Sequence, residues 1–512
     1  MWENSTAFVA HFPDAEQYSN VLRDLASRLR DAKFAVQTNE TSLLITAPDV
    51  LYYEEAERQQ LMKPLKSSGI LDEFTVNDKE SFVDWNEENF FVPAELAHML
   101  HELLDNVTPD NTFIKELEKS LSRKVKHEEH ESVFQVLTRI EIMEELQLKH
   151  DKAKQTKLWN KIVWSIYKMP VQSIRDYYGE SVAFYFGWMN FYTFWLIPAA
   201  VVGATLSFVR PADVTIDNAP YIPFFALFMV LWGFLFIKIW KRKTAEFAFQ
   251  WDTHDRVRKE TYRPSFYGKW RKSEITDEME LHYPTSIRRM KYLVSFLVTL
   301  VMLCIAFVVM ICSLNLQGYV SCHNRLGGSN PFHVEALHKF SEPGAIFDPN
   351  GNAILALVPV VIHAVVIMIL NQMIYSRIAK ALTDWENHKT DAEYENSLIL
   401  KRFLFEAFDC YISLFYLAFY ELDIMRLRSE LMALYTSDCI RRVLTETIIP
   451  LVVQKLRKRK NKASEEAEAV DSDKEEIELF DDYLEMVIQY GYITLFASAF
   501  PFAAALSFVS NV

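Results

Sequence analysis

The chain has 512 residues, of which 50% are hydrophobic and 24% are charged, and its formal net charge at pH 7 is −14. A protein that neutralises nucleic-acid phosphates concentrates Lys and Arg in a basic domain, so this acidic balance argues against a nucleic-acid partner. The five cysteines show no C-x-x-C spacing, and the sequence therefore carries no zinc-finger signature.

Residues 1–169 have the pattern of a soluble domain. Short β-like runs at Ala7–His11, Leu43–Thr46 and Phe74–Val76 alternate with a helical stretch around Val21–Ala32. Between Pro93 and Lys157, Glu and Lys are mixed at three- and four-residue spacing, which is typical of solvated helix faces. The sequence predicts an N-terminal α+β domain of the ferredoxin-like kind.

Beyond residue 170 the chain contains apolar stretches of about 20 residues, long enough to cross a bilayer as helices. Five such stretches are followed by two further candidate helices, which are more polar. The predicted membrane helices are residues 182–209, 222–239, 292–314, 353–374, 403–420, 424–454 and 483–510. The fold class predicted for the whole chain is a mainly α, polytopic helical membrane protein with an N-terminal cytosolic domain.

Loop charges predict the orientation of these helices. The segment Lys241–Arg289 holds about a dozen Lys and Arg, whereas Asn315–Asn352 holds only Arg325 and Lys339. Since cytosolic loops carry the excess of Lys and Arg, the first segment and the N-terminal domain are expected in the cytosol.

The sixth candidate helix is unusually charged. Its ionisable residues are Asp423, Arg426, Arg428, Glu430, Asp438, Arg441, Arg442 and Glu446. A helix that faces lipid cannot carry so many ionisable side chains, so this helix is expected to face other helices or a water-filled path.

Carboxylates begin the seventh candidate helix and interrupt the sixth. Asp482 and Glu485 are three residues apart, which places both on one side of a helix, and Glu446 precedes Pro450 by one turn. Acidic groups at membrane depth are costly unless they meet a cation or a counter-charge, so a bound metal is the obvious candidate partner for these residues. Two simpler interpretations stay open: acidic residues are favoured in the first turn of any helix, and Glu446 could pair with Arg441 or Arg442.

The fifth helix carries Glu406 and Asp409 at membrane depth, with Lys401 nearby. They are expected either to line a hydrophilic groove or to neutralise Arg441 and Arg442 of the sixth helix. A pore with an acidic lining would favour cations over chloride.

Several sequence blocks in a fixed order resemble one family. They are Ile-Arg-Asp-Tyr-Tyr-Gly-Glu at 174–180, Tyr-Phe-Gly-Trp at 185–188, Ala-Lys-Ala-Leu-Thr-Asp-Trp-Glu-Asn at 379–387, and Tyr-Leu-Glu-Met-Val-Ile-Gln-Tyr-Gly at 483–491. These blocks resemble the anoctamins, a group of calcium-regulated lipid scramblases and ion channels. The resemblance extends from about Ile174 to the last residue.

This resemblance implies a function and a set of site residues. It implies Ca²⁺ as the cofactor, held by Glu446, Asp482 and Glu485, and a path for lipids or ions with Lys401, Glu406, Asp409 and Arg442 as groove or pore candidates. The implied activity is calcium-activated phospholipid scrambling with associated ion conduction, without covalent chemistry. A calcium-activated chloride channel and a non-conducting tether or regulatory form are the alternatives. The expected location is the plasma membrane or the endoplasmic reticulum.

Two departures from the family pattern accompany the resemblance. Arg442 stands where the family usually has Asn, one turn from Glu446. The printed sequence also stops before the family's eighth helix with its E-x-R-x-D motif, so the last three helices, including the one that makes the family's homodimer, are expected to be missing.

Overall fold

The computed structural model divides the chain into two compact units, residues 1–191 and 192–512. This division lies within the first membrane helix, and the domain boundary predicted after residue 169 remains a prediction. The structure describes residues 6–12, 18–39, 41–87, 90–121, 124–125, 131–144, 146–165, 168–209, 219–251, 253, 263, 265–272, 279–323, 328–348, 353–442, 448–449, 451–453 and 479–511.

The first unit is built on an antiparallel sheet. Its strands are β1 (Phe8–His11), β2 (Ala35–Thr38), β3 (Ser42–Thr46) and β6 (Gln147–Leu148), in the order β2-β3-β1-β6. A separate two-stranded sheet pairs β4 (Met62–Pro64) with β5 (Leu71–Glu73). In β3 every residue is buried, and Phe8 of β1 lies opposite its Ile45. The β1-α1-β2-β3 start is the ferredoxin-like arrangement, which confirms the predicted α+β class.

Seven α-helices lie wholly within the described residues of this unit. They are α1 (Ser19–Asp31), α2 (Asp49–Arg58), α3 (Pro93–Asp105), α4 (Asn111–Leu121), α5 (Val133–Arg139), α6 (Lys152–Val163) and α7 (Val171–Tyr178). The apolar residues of α1 recur at helical spacing and face the core. The β-like run at Phe74–Val76 is not a strand, because β5 ends at Glu73. The Phe74 ring is instead buried among the rings of Phe82, Phe90 and Phe91.

The remaining elements form the membrane part of the chain. They are α8 (Glu180–Val209), α9 (Ile222–Gln250), the hairpin β7 (Lys269–Lys272) and β8 (Met279–His282), α10 (Thr285–Leu316), α11 (Glu335–His338), α12 (Ala353–Met368), α13 (Ser376–Glu386), α14 (Asp391–Phe415), α15 (Ile424–Arg442), α16 (Leu479–Leu495) and α17 (Ala503–Asn511). Within the described ranges, five helices are long and apolar enough to cross a membrane: 180–209, 222–250, 285–316, 358–386 and 391–420. They correspond to the first five predicted spans.

Several helices continue beyond the apolar stretch that predicted them. α9 runs on to Gln250 and α10 begins at Thr285, so both extend into charged sequence. Hydropathy detects only the part of a helix that suits the bilayer, whereas helix formation itself tolerates Lys, Arg and Glu. The predicted spans are therefore shorter than the helices.

Two π-helical turns interrupt the fourth and fifth spans. Ile369–Tyr375 joins α12 to α13, and Tyr416–Tyr420 extends α14. In the first of these turns, the fully buried Tyr375 ring stacks on Phe405 of α14 with centroids 4.0 Å apart. Such turns often occur at functional positions in helices.

The seventh predicted helix, residues 483–510, is divided in two. α16 ends at Leu495 and α17 begins at Ala503, with Pro501 in the turn between them. Proline has no backbone N–H to continue the helical hydrogen bonds. Arg428 of α15 donates from Nε to the Ala499 carbonyl oxygen at 2.8 Å, which satisfies one acceptor that the break releases.

Candidate functional site

The polar side chains of α14 lie next to those of α16 because the two helices approach closely. Tyr411 of α14 donates its hydroxyl to the Ile488 carbonyl oxygen of α16 at 2.9 Å. A Cβ atom at Gly491 would collide with that hydroxyl, so only glycine permits this approach. α15 contacts both α12 and α14.

Cations from two helices meet the carboxylates at the start of α16. Arg402 of α14 donates from Nη2 to Asp481 Oδ1 at 2.5 Å. Arg441 of α15 donates from Nη2 to Glu485 Oε1 at 2.8 Å, and both side chains of this pair are mostly shielded, with exposed fractions of 33% and 21%. Two Arg–carboxylate pairs therefore join the first two turns of α16 to α14 and α15.

The three predicted calcium ligands are only partly within the described ranges. Asp482 and Glu485 lie one turn apart on α16 and are half-buried. Glu446 lies outside the described residues. Arg442 belongs to the last turn of α15, and its side chain also lies outside what the structure describes. Arg441, which the sequence offered as one partner for Glu446, donates a hydrogen bond to Glu485.

The donor chemistry of Asp482 and Glu485 fits a hard cation such as calcium, since both side chains supply carboxylate oxygens from one side of a helix. Across the described part of the chain, however, no group of three or more His, Cys, Asp or Glu is placed to hold a metal ion. Two carboxylates are fewer than calcium requires, so the complete ligand set remains a prediction that depends on residues outside these ranges.

Glu406 and Asp409 lie one turn apart on α14. Asp409 is only 5% exposed, and its Oδ1 atom has no hydrogen-bond partner among the described residues. Glu406 is half-buried and is hydrogen-bonded by Asn371 of the first π-helical turn. A buried carboxylate oxygen without a donor is unusual in a folded protein and calls for an explanation.

Lys401 belongs to a different group of charges. Its Nζ donates to Glu386 Oε2 at 2.7 Å and to Ser397 Oγ at 2.6 Å, and His388 Nε2 lies 2.9 Å from the same Glu386 oxygen. Glu386 is 1% exposed. We call Glu386, His388, Ser397 and Lys401 the Glu386 cluster. It joins α13 to α14, and Lys401 is therefore held by a buried carboxylate of α13, which the sequence pattern gave no reason to expect.

Two further polar clusters were not found from the sequence. Glu421, which is 6% exposed, accepts hydrogen bonds from Asn330 Nδ2 at 2.9 Å, Tyr416 Oη at 3.0 Å and the Ser321 amide at 3.3 Å. We call these four residues the Glu421 cluster. It ties the loop after α10 to the end of the fifth span. No sequence signal pairs residues about 90 to 100 positions apart.

The second cluster surrounds Lys291 near the start of α10. Its Nζ donates to the Trp385 carbonyl oxygen at 2.6 Å and to Tyr267 Oη at 2.8 Å. The rings of Tyr267, Tyr283 and Trp385 enclose it at 5.1 to 5.3 Å from their centroids. The hydrogen bond from Lys291 lowers the pKa of Tyr267. This cage fixes α10 against the end of α13.

Comparison with known proteins identifies similar proteins for most of the chain. Residues 174–512 match the family model described as "Anoctamin: Calcium-activated chloride channel". The chain is 30% identical to anoctamin-10 of Homo sapiens over 495 residues, which cover 92% of this chain and 70% of that protein.

Other relatives are similar over different shares of their length. Anoctamin-10 of Danio rerio is 29% identical over 94% of this chain and 71% of its own length. Anoctamin-7 of Homo sapiens is 28% identical over 67% of this chain, and the match covers 44% of that protein. Since the family model covers well over half of the residues and five helices suit a membrane crossing, the chain belongs to the anoctamin family and is an integral membrane protein.

Proposed function

We propose that this protein is a calcium-activated phospholipid scramblase with associated ion conduction, with its N-terminal unit in the cytosol. The proposal rests on the ionisable side chains of α14, α15 and α16. We call Arg402, Asp409, Arg441, Asp481 and Glu485 the polar row. Arg402 pairs with Asp481 and Arg441 with Glu485, while Asp409 lies buried nearby. Helices with such side chains are expected to line a polar path rather than to face lipid tails.

The mixture of signs in this row favours a lipid headgroup as the transported species. A zwitterionic headgroup carries a phosphate and an amine within a few ångströms. Arg402 and Arg441 suit the phosphate, since a guanidinium matches phosphate oxygens with two parallel hydrogen bonds. Asp481, Glu485 and Asp409 suit the amine. A row that offers both charges can replace the water around both ends of the headgroup.

Calcium control is proposed to act at the start of α16. Asp482 and Glu485, together with Glu446, would hold the ion, which supplies positive charge where carboxylates would otherwise repel one another. Arg441 supplies a positive charge to Glu485 in the arrangement described here. The same oxygen of Glu485 cannot bind both Arg441 and a cation. Calcium binding would therefore break the Arg441–Glu485 ion pair, which links α15 to the start of α16.

A calcium-activated chloride channel is the second candidate, and the family description supports it directly. Arg402 and Arg441 would then attract the anion, and the carboxylates would serve calcium alone. The two candidates differ in whether the polar row is open to lipid.

Reconstitution of the full chain in liposomes distinguishes a scramblase from a chloride channel. The purified protein is placed in liposomes that contain a fluorescent phospholipid, and an impermeant reductant is added outside at a series of calcium concentrations. A scramblase exposes inner-leaflet lipid, so fluorescence falls below the level that protein-free vesicles reach. Chloride flux without lipid movement would favour the channel, and movement of neither lipid nor ions at any calcium concentration would contradict both.

A further inference from the structure

Two buried oxygen atoms without hydrogen-bond donors belong to neighbouring side chains at the end of α10 and the start of α15. Glu430 of α15 is 1% exposed, and its Oε2 atom has no hydrogen-bond partner among the described residues. Gln317, the residue that follows α10, is 5% exposed, and its Oε1 atom has no donor in that part of the chain either. The two side chains are hydrogen-bonded to each other. Buried acceptors of this kind call for a positively charged or donating group.

The packing of α10 against α15 around Glu430 is largely apolar. One buried hydrophobic cluster contains Met310 and Leu314 of α10 and Leu427 and Leu431 of α15. Moving an ionised carboxylate from water into such surroundings is unfavourable unless a cation compensates for the lost hydration. Hydrophobic packing alone therefore does not explain a buried acidic side chain at this position.

Arg426, about one turn before Glu430 on α15, is bound to other groups. Its Nη1 atom donates to the Tyr319 carbonyl oxygen at 2.7 Å and to Ser321 Oγ at 3.1 Å. Its Nε atom lies 3.4 Å from Asp423 Oδ2. No side chain of the described residues supplies a cation to Glu430. The positive charge that would compensate this carboxylate must therefore come from another source.

Further oxygen atoms lie near the same two side chains. Gln317 Nε2 donates to Ser313 Oγ at 3.1 Å, and Ser313 is itself 6% exposed. Burial, together with the nearby charge of Glu430, raises the pKa of Tyr319 to about 12, so its phenol oxygen lies close to the carboxylate. Gln317 also caps the carboxyl end of a 32-residue helix, where the helix dipole favours positive charge. The surroundings therefore offer one carboxylate, several neutral oxygens and the negative end of a long helix.

We propose that Glu430 and Gln317 bind a monovalent metal cation, of the class of Na⁺, between α10 and α15. One carboxylate with neutral oxygens matches a single positive charge, and the carboxyl ends of helices in membrane proteins are known to coordinate such ions. Calcium sites use several carboxylates, and the described residues contain no group of three or more His, Cys, Asp or Glu placed to hold a metal ion. The cation would give both unsatisfied oxygens a partner and would neutralise Glu430.

Such a cation would join α10 to one end of α15. Arg441, which pairs with Glu485 near the proposed calcium ligands, lies about 16 Å further along the same helix. The monovalent cation would therefore fix the end of α15 opposite to the end where calcium is proposed to act. Its binding can be measured without calcium and without lipid movement, so this proposal and the proposed function can fail independently.

Thermal unfolding of the full chain in detergent tests the site, with EGTA present so that calcium does not contribute. Choline chloride is replaced stepwise by lithium, sodium or potassium chloride at constant ionic strength and pH. A ligand that binds only the folded protein raises its stability as the site fills. We expect the unfolding temperature to rise by about 2 °C at ten times the dissociation constant of the best of the three cations.

Three variants locate the binding site. Glu430→Gln keeps the shape of the side chain but removes its charge, and it should abolish the rise in unfolding temperature. Glu335→Gln, at an exposed position of α11, makes the same change in net charge and should leave the rise intact. Gln317→Leu keeps the carboxylate but lacks Oε1, so the cation concentration for half of the full rise should increase about tenfold. This third variant tests the site even if Glu430→Gln does not fold.

Three results would overturn the proposal. The first is an equal unfolding temperature in choline chloride and in all three metal chlorides. The second is an unchanged rise in both Glu430→Gln and Gln317→Leu, which would mean that the cation binds elsewhere. The third is a stability that depends on pH but not on the cation, because a proton shared between Glu430 and Gln317 would also partner both oxygens.

Discussion

Two groups of buried charge in the membrane unit differ in how completely their atoms are partnered. In the Glu386 cluster, one carboxylate oxygen receives Lys401, Ser397 and His388 at 2.7 to 2.9 Å. On α14, Asp409 is almost as deeply buried, yet its Oδ1 has no hydrogen-bond partner among the described residues. A fully partnered group stabilises one arrangement of helices, whereas an incompletely partnered one is ready to bind something else. The contacts of the first group stabilise the fold, and the proposed function assigns the second group to the transport path.

Neutralising Glu386 should have the largest effect on folding. Glu386→Gln leaves Lys401 buried without a counter-charge, and removal of one partner of a buried ion pair typically destabilises a protein by about 3–5 kcal/mol. We expect a large fall in the temperature at which the detergent-solubilised protein loses its monodisperse peak. The double variant Glu386→Gln/Lys401→Met removes both charges and should recover much of the loss. Equal instability of the single and double variants would contradict the assigned pairing.

The Glu421 cluster offers a second test of a fully partnered group. Asn330→Ala removes the donor at 2.9 Å from Glu421 Oε1 and leaves a buried acceptor less well satisfied, which is expected to lower the free energy of unfolding by about 1–3 kcal/mol. Asn160→Ala, at an exposed position of α6, is the control and should change stability by less than ~0.5 kcal/mol. The same thermal assay compares them, and indistinguishable curves would show that the cluster contributes little.

Asp409→Asn tests the incompletely partnered carboxylate, for comparison with the same kind of change at Glu386. The same chemical change that destabilises at Glu386 should be nearly neutral here, within about 1 kcal/mol, because no described cation depends on Asp409 and a buried unpaired charge is itself unfavourable. Lipid transport in liposomes should nevertheless slow, since the polar row loses a negative charge. A strongly destabilised Asp409→Asn protein would mean that this carboxylate has a structural partner after all.

Arg441→Gln should have the smallest effect, and it should increase the sensitivity of scrambling to calcium. The Arg441–Glu485 pair is partly exposed and is worth up to ~1 kcal/mol, so its removal should lower the calcium concentration needed for half-maximal activity by about fivefold. Arg402→Gln, which breaks the pair with Asp481, is the matched control and should leave that concentration unchanged. Scrambling measured across a calcium titration reports both, and a higher calcium requirement in Arg441→Gln would contradict competition at Glu485.

The sequence predicted the membrane architecture well because hydropathy reports directly on what a bilayer requires. Helices long and apolar enough to cross a membrane occur at the first five predicted spans, and the N-terminal α+β class is confirmed. The break between α16 and α17 was missed, although Pro501 is a signal for it, because the apolar pattern continues on both sides. The helical continuation of α9 to Gln250 was missed because charged residues end a hydropathy signal without ending a helix.

The candidate site was predicted less completely, because one-dimensional patterns do not reveal which sides of helices meet. Asp482 and Glu485 were predicted as ligands partly from their spacing, and that role remains a prediction. The pairing of Glu485 with Arg441 and of Lys401 with Glu386 depends on packing between helices, and no sequence spacing encodes it.

Calcium dependence of lipid movement in three variants of α16 tests the central claim most directly. Asp482→Asn, Glu485→Gln and Asp481→Asn each remove one carboxylate charge within two turns, but only the first two affect proposed calcium ligands. Scrambling is measured in liposomes of identical composition across a calcium titration. The account predicts that Asp482→Asn and Glu485→Gln shift the calcium concentration for half-maximal activity upward by about tenfold, or ~1.4 kcal/mol, while Asp481→Asn keeps the wild-type half-maximal concentration whatever its effect on the maximal rate. Equal shifts in all three, or no shift in any, would contradict a calcium site at Asp482 and Glu485.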